Sequence, residues 1–315
     1  MTRMLKPGLR LGLVAACLIY VLWGVDFYAL GQALAAFSPW ALVFVAVVMV
    51  GDYVCMGLRL RFITGSRAGL TPIFNACILG LGLNNILPAK AGELAKALYL
   101  RRKANISLGQ SLDAVFWERF FDLNALLTLG FGAAVILDQK MLIIPLAGLV
   151  GLIWAGLFVL RLWPQASRFF IKPLYFKRLK LLATEVTAHL AEHLNFRFFL
   201  RLGIYTAVTW GLYGVQYFMF LLWGAGLSLS ATQATAVFLI GAAGMAVPST
   251  PGAVGVYEAV MVTALGLYGI GKEQALAVGL VFHTLQYVPS TIYALALLAR
   301  SGLSLRQIRE EAHEA

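Results

Sequence analysis

The sequence predicts an all-α polytopic membrane protein: an inverted-repeat bundle of about six transmembrane helices plus two re-entrant helical hairpins. Three observations carry that expectation. Of the 315 residues, 61% are hydrophobic and 12% charged, against about 45–50% apolar and about 25% charged in soluble domains. Mean hydropathy is +0.82. The apolar residues fall into runs near the roughly 20 residues that a spanning helix needs. The charge, 25 Lys and Arg against 14 Asp and Glu, gathers largely in the links between those runs. This composition excludes a soluble enzyme and a nucleic-acid-binding module, and the polar stretches are too short to fold alone. Residues 1–315 read as a single integral membrane domain.

The runs cover approximately 11–30, 39–58, 70–88, 108–137, 141–160, 202–224, 229–247, 251–270 and 274–299. Basic residues of short loops stay on the cytoplasmic side. Arg3, Lys6 and Arg10 therefore put the N-terminus inside, ahead of a first helix read as uncleaved although Ala33-Leu34-Ala35 imitates a signal-peptidase site. The uncharged link 31–38 reads as external, with Asp26 and Asp52 near the ends of crossings. Arg59, Arg61 and Arg67 return the chain to the inside, and Lys96, Arg101, Arg102 and Lys103 belong there too. The run 70–88 between these groups is thus predicted to dip in, turn near Pro88 and return.

Run 108–137 crosses outward to Asp138-Gln139-Lys140, and 141–160 crosses back. Residues 161–201 form a basic cytoplasmic segment with interleaved aromatic residues, which fits an anionic leaflet. Run 202–224 crosses outward and 229–270 forms the second hairpin. Run 274–299 then carries Arg300, Arg306 and Arg309 inside, so both termini are cytoplasmic. The halves, approximately 8–137 and 141–299, share one plan in opposite orientations, as in transporters built from inverted repeats.

Polar residues concentrate at the two breaks, Asn84-Asn85-Ile86-Leu87-Pro88-Ala89-Lys90-Ala91-Gly92-Glu93 and Val247-Pro248-Ser249-Thr250-Pro251-Gly252-Ala253-Val254-Gly255-Val256-Tyr257-Glu258. Pro and Gly free backbone groups there. A helix starting at Gly92 or Gly252 would turn amide N–H groups and a positive dipole end toward an anion such as a phosphate. Ser249 and Thr250 add hydroxyl donors, and Asn84 and Asn85 can satisfy freed backbone groups. Unsatisfied backbone is tolerated at membrane depth only against protein or water, so the two breaks are expected to face one another.

Lys90, Glu93, Glu118, Arg119, Asp122, Glu258 and His283 are ionisable groups at membrane depth, where each costs about 2.5–3.5 kcal/mol on insertion scales and needs a partner. Glu118 and Asp122 share a helix face, with Lys90 or Arg119 as their cation. This set reads either as an ion-pair network tying the hairpin to the next helix or as a headgroup site. Glu93 and Glu258 also suit the first turn of a helix. Gly211, Gly214, Gly241 and Gly244 are read as close-packing positions, and Cys17, Cys55 and Cys77 as small buried hydrophobes. His189 and His193 lack a third metal ligand. No metal and no cofactor are expected.

Three ordered motifs carry a resemblance. The stretch Asn85 to Glu93, then Trp117-Glu118-Arg119-x-x-Asp122, then Pro248-x-Thr250-Pro251-Gly252-x-x-Gly255-x-x-Glu258 together resemble the flippase-like membrane region of lysylphosphatidylglycerol synthases and its stand-alone relatives. The resemblance implies a protein of the bacterial inner membrane that moves an anionic or modified lipid between leaflets. The lipid could be a phospholipid, an aminoacyl-phospholipid or a polyprenyl-phosphate-linked lipid. Family patterns often carry Arg where Lys90 stands, which keeps the charge without a bidentate grip on phosphate. The chain ends at Ala315 without a soluble aminoacyl-transfer domain, which argues against lipid lysylation and for a transporter without covalent chemistry. Asn85, Lys90, Glu93, Glu118, Arg119, Asp122, Ser249, Thr250, Gly252 and Glu258 are the expected substrate-binding residues. The expected partners are the lipid itself, the anionic leaflet through 161–201, and either a second copy in a homodimer or an associated lipid or glycan synthase. The alternatives are a membrane-embedded transferase on a lipid-linked substrate and a non-catalytic scaffold for such a synthase.

Overall fold

The computed structural model describes residues 12, 14–87, 91–136, 138–162, 195–246 and 251–302. Among them there is no strand, and eleven α-helices follow one another. They are α1 (Val14–Leu22), α2 (Phe27–Ala35), α3 (Pro39–Ile63), α4 (Leu70–Asn84), α5 (Gly92–Ala104), α6 (Leu108–Ile136), α7 (Lys140–Leu162), α8 (Phe196–Phe218), α9 (Ala231–Ala246), α10 (Val256–Gly266) and α11 (Lys272–Ser301). Helices α3, α6 and α11 are long and apolar enough to cross a membrane. Large apolar side chains face outward along the helices, with Trp40 77%, Ile144 80% and Met141 91% exposed, as suits contact with hydrocarbon. The protein is an all-α polytopic membrane protein.

The first apolar run differs from expectation. It is not one straight crossing but two short helices, α1 and α2, bent by 89°. Gly24 turns the chain at a φ of +68°, a conformation that glycine adopts without steric cost. Asp26 then caps α2, its carboxylate accepting from the N–H groups of Tyr28 and Ala29 at 2.8 and 3.1 Å. The uncharged stretch after residue 30, expected as an external link, is largely helical. Lys272 donates to the carbonyls of Tyr20 and Trp23 at 2.8 and 2.6 Å, satisfying acceptors that α1 leaves open at its end. Asp52, expected near a crossing end, is buried within α3. Helix α8 starts at Phe196, so Arg197 and Arg201 stand inside it rather than in a preceding segment. It continues as a π-helix over Met219–Gly224. Most of the basic stretch 161–201 lies outside the described residues.

The chain divides into two compact units built from separated stretches. One takes in Met1–Gly51, Asn84–Lys90 and Gly211–Ile292, the other Asp52–Leu83, Ala91–Trp210 and Tyr293–Ala315. The second holds α4 and α5, which at 15 and 13 residues are each too short to span a bilayer. A Cβ on Gly80 of α4 would come 3.1 Å from the Lys96 Cβ and 3.3 Å from the Gly92 carbonyl oxygen of α5. The missing side chain is what lets these two helices close into a hairpin. Trp117, Phe120 and Phe121 of α6 interlock with Trp154 of α7 and with Phe198 and Phe199 of α8.

The first unit holds the shorter pair α9 and α10, of 16 and 11 residues. Gly244 of α9 packs on Val260 of α10, where a Cβ would meet the two γ-carbons at 2.8 and 2.9 Å. Gly241 leaves room for the Tyr217 hydroxyl and the Met261 sulfur. Among the described residues no neighbour comes within 4 Å of a Cβ built on Gly211 or Gly214, so none of them makes the close packing expected at those two positions.

Candidate functional site

In the second unit, helix α5 begins at Gly92, as the break in the sequence implies, and sets Glu93 in its first turn. One turn on, Lys96 reaches both Glu93 Oε2, at 2.8 Å, and Glu118 Oε2 on α6, at 2.7 Å. Arg119, the next residue of α6, bonds the other oxygen of Glu93. One further turn along, Asp122 takes a two-pronged contact from Arg59 of α3, at 2.6 and 3.2 Å, and accepts from the Trp210 indole at 3.2 Å. Three carboxylates thus meet three cations, and the set is electrically balanced.

Burial divides the set. The side chains of Arg59, Lys96 and Glu118 are 2%, 6% and 7% exposed, whereas that of Arg119 is 52% exposed. Charges removed from water survive only when paired and hydrogen-bonded. Arg59, Lys96 and Glu118 meet that condition from three different helices, and so lock α3, α5 and α6 together. Arg119 presents a planar guanidinium at the edge of the network while one of its nitrogens holds Glu93.

In the first unit, the second break is built around two glycines. Gly252 sits in a short 3-10 turn at φ +68°, and Gly255 precedes α10 at φ +82°. The helix therefore starts at Val256 and not at Gly252, which corrects the expected position of its free amides. Glu258, in the first turn, accepts from the Gly255 N–H at 2.7 Å, half of a capping box. Its other oxygen lies 2.6 Å from His283 Nδ1 of α11, and His283 Nε2 lies 2.8 Å from the Gly252 carbonyl oxygen.

Residues from both breaks meet in this unit. The Asn85 side-chain amide donates to the Tyr287 carbonyl and toward Ser290 and Thr291 at 3.3, 3.1 and 2.9 Å. Tyr287 returns a bond from its hydroxyl to the Asn85 carbonyl at 3.1 Å. A Cβ at Gly252 would strike the Tyr287 ring and lie 3.1 Å from that same Asn85 oxygen. Asn85 thus ties the break to α11, and it is Tyr287 that satisfies the backbone carbonyl there.

The sequence matches the model of the family described as lysylphosphatidylglycerol synthase TM region over residues 9–294. The chain belongs to this family. It is also similar to a UPF0104 membrane protein of Methanocaldococcus jannaschii, 29% identical over 220 residues, an alignment that takes in 67% of this chain and 90% of that protein. A UPF0104 membrane protein of Methanothermobacter thermautotrophicus is 30% identical over 125 residues, covering 39% of this chain and 35% of that one.

For this member of the lysylphosphatidylglycerol synthase TM-region family, the expected residues fall into two groups. Glu93, Glu118, Arg119 and Asp122 form the ion network of the second unit, and Asn85, Gly252 and Glu258 the polar break of the first. Lys90, Ser249 and Thr250 lie outside the described residues. Among the described residues, Lys96 holds Glu118, Arg59 holds Asp122 and Arg119 holds Glu93. Arg59 and Lys96 look like loop charges in the sequence because each stands beside others, Arg61 and the Arg101-Arg102-Lys103 run. The signal available was spacing: Lys96 lies one turn from Glu93, where a helical pair forms.

Proposed function

We propose that this protein is a lipid flippase, a transporter that carries a lipid with a phosphate-bearing headgroup, anionic or modified, between the leaflets of a cytoplasmic membrane without covalent chemistry. The observation that carries the proposal is Arg119. A half-exposed guanidinium on a membrane helix, held by one carboxylate at the edge of a buried balanced network, is a ready partner for a headgroup phosphate. Arginine grips phosphate through paired N–H donors. When a phosphate replaces Glu93 on Arg119, Glu93 keeps Lys96 at 2.8 Å, so no carboxylate is left without a cation. Asn85 and the Gly252 turn supply polar groups inside an apolar helix set, where broken helices commonly handle substrate. Membership of a family described by lysylphosphatidylglycerol synthases supports a phospholipid or aminoacyl-phospholipid as cargo.

The lipid needs to stay in the bilayer throughout, because moving an acyl chain into water costs about 0.8 kcal/mol per CH₂. In this reading both termini are cytoplasmic, the basic stretch 161–201 rests on the anionic leaflet, and a second copy or a lipid or glycan synthase is the protein partner. The test is reconstitution of the purified protein into vesicles carrying headgroup-labelled phospholipid, aminoacyl-phospholipid or polyprenyl-phosphate sugar. Leaflet exchange of at least one of them, with no new lipid on analysis, is the expected result. A new covalent product would make the protein a transferase, and neither exchange nor product would make it a scaffold.

A further inference from the structure

His283 lies between two acceptors. Its Nε2 is 2.8 Å from the Gly252 carbonyl oxygen, which can only accept, so Nε2 must carry a hydrogen. Its Nδ1 is 2.6 Å from Glu258 Oε1. The other Glu258 oxygen is already bonded to the Gly255 N–H at 2.7 Å, so a second hydrogen has one place to sit, between Nδ1 and Oε1. A neutral imidazole beside an ionised carboxylate owns only one of these two hydrogens. The geometry is satisfied only when the pair as a whole holds both.

We propose that His283 and Glu258 form a proton-binding site whose occupancy holds the Gly252 turn. In the loaded state His283 is an imidazolium, donating to the Glu258 carboxylate and to the Gly252 carbonyl. The carboxylate is favoured as the charged partner by the Gly255 N–H and by the start of α10 beside it. Losing one proton removes one of the two bonds. If the remaining hydrogen stays on Nε2, two lone pairs meet at 2.6 Å between the ring and Glu258. If it moves to Nδ1, two lone pairs meet between the ring and Gly252. Either way, one of the two links from α11 to the break is cut.

The turn that loses this support is otherwise tightly placed. Gly252 has a left-handed backbone and lies under the Tyr287 ring, in contact range of the Asn85 carbonyl. Among the described residues, the other titratable groups facing the pair are phenols. Tyr257 of α10 has its ring 5.1 Å from the imidazole and its hydroxyl 2.8 Å from that of Tyr217 of α8, and Tyr287 of α11 stands edge-on at 5.7 Å. Coupling of this site to lipid movement rests on the transport reading, whereas proton binding does not.

The test is nitrogen-15 spectroscopy of the histidine rings in the full-length protein in lipid, with His283→Gln used to assign the signal. The expected result is two protonated ring nitrogens for His283 at mildly acid pH. On raising the pH one of them loses its proton, and the carbon signal of the partner it released, the Gly252 carbonyl or the Glu258 carboxyl, shifts with it. Glu258→Gln should leave only the Nε2 hydrogen on His283 at the same mildly acid pH, because the Nδ1 partner no longer carries a charge. A His283 ring with a single protonated nitrogen from pH 5 to 9, or a titration that leaves both the Gly252 carbonyl and the Glu258 carboxyl signals unmoved, would overturn the proposal. Since the readout is taken without transport, absence of lipid exchange in vesicles would count against the transport reading and leave the proton site standing.

Discussion

The two helix pairs that carry the breaks close in the same way and are equipped differently. In α4–α5 a glycine, Gly80, faces Lys96, and in α9–α10 a glycine, Gly244, faces Val260. The two facing positions are the same number of residues apart in each pair. The first pair uses the facing position for a buried cation and ties it to Glu93 and Glu118. The second uses it for a β-branched hydrophobe and moves its polar work to Glu258, His283 and the Gly252 carbonyl. The comparison separates two jobs: the glycine sets how closely the helices approach, and the residue opposite decides whether the hairpin is locked by charge or by packing.

The largest expected effect breaks the charge lock of the second unit. Asp122→Ala leaves Arg59, which is 1% exposed, with no carboxylate on its two terminal nitrogens. Removing one partner of a buried pair costs about 3–5 kcal/mol, read as loss of folded protein on denaturant titration in detergent. The double change Arg59→Met with Asp122→Leu should recover most of that loss, since apolar replacement of a buried pair is close to neutral.

The next effect should fall on the packed hairpin. Gly244→Ala sets a methyl 2.8 Å from one γ-carbon of Val260, and overpacking of this kind costs about 1–3 kcal/mol. Val260→Ala in the same chain should relieve it, measured in the same unfolding experiment. Gly80→Ala meets Lys96 Cβ at the looser 3.1 Å, and alanine gains up to about 1 kcal/mol of helix propensity. It should therefore change stability by less than Gly244→Ala. A Gly80→Ala loss exceeding that of Gly244→Ala would contradict the division between the hairpins. The smallest effect is expected at Arg119, half exposed: Arg119→Gln should cost no more than about 1 kcal/mol, which leaves its proposed role in lipid handling separable from folding.

Much of this was legible in the sequence. Both breaks stand where Pro and Gly interrupt apolar runs, Glu118 and Asp122 were recognisable as a pair because helical spacing aligns them, and Glu93 and Arg119 stood out as charges at membrane depth. Gly24 followed by Asp26 was also a legible stop and cap, yet it lies inside an apolar run that reads as one span. Partners from distant chain positions were not legible. Nothing in local pattern joins Arg59 to Asp122, or Glu258 to His283, because tertiary packing brings them together. The positive-inside reading also treats every Lys and Arg as a loop charge. Arg59 and Lys96 are buried ion-pair members, so they do not count toward loop topology.

The most direct test compares leaflet exchange of one phosphate-bearing lipid by the unaltered protein and by Arg119→Gln, both reconstituted into vesicles at equal amounts of folded protein. The account predicts rapid exchange with the unaltered protein and a large loss with Arg119→Gln, with Arg119→Lys in between because the charge remains without the two-pronged grip. Equal exchange by Arg119→Gln and the unaltered protein would contradict it, and would leave the ion network of α3, α5 and α6 as a structural lock alone.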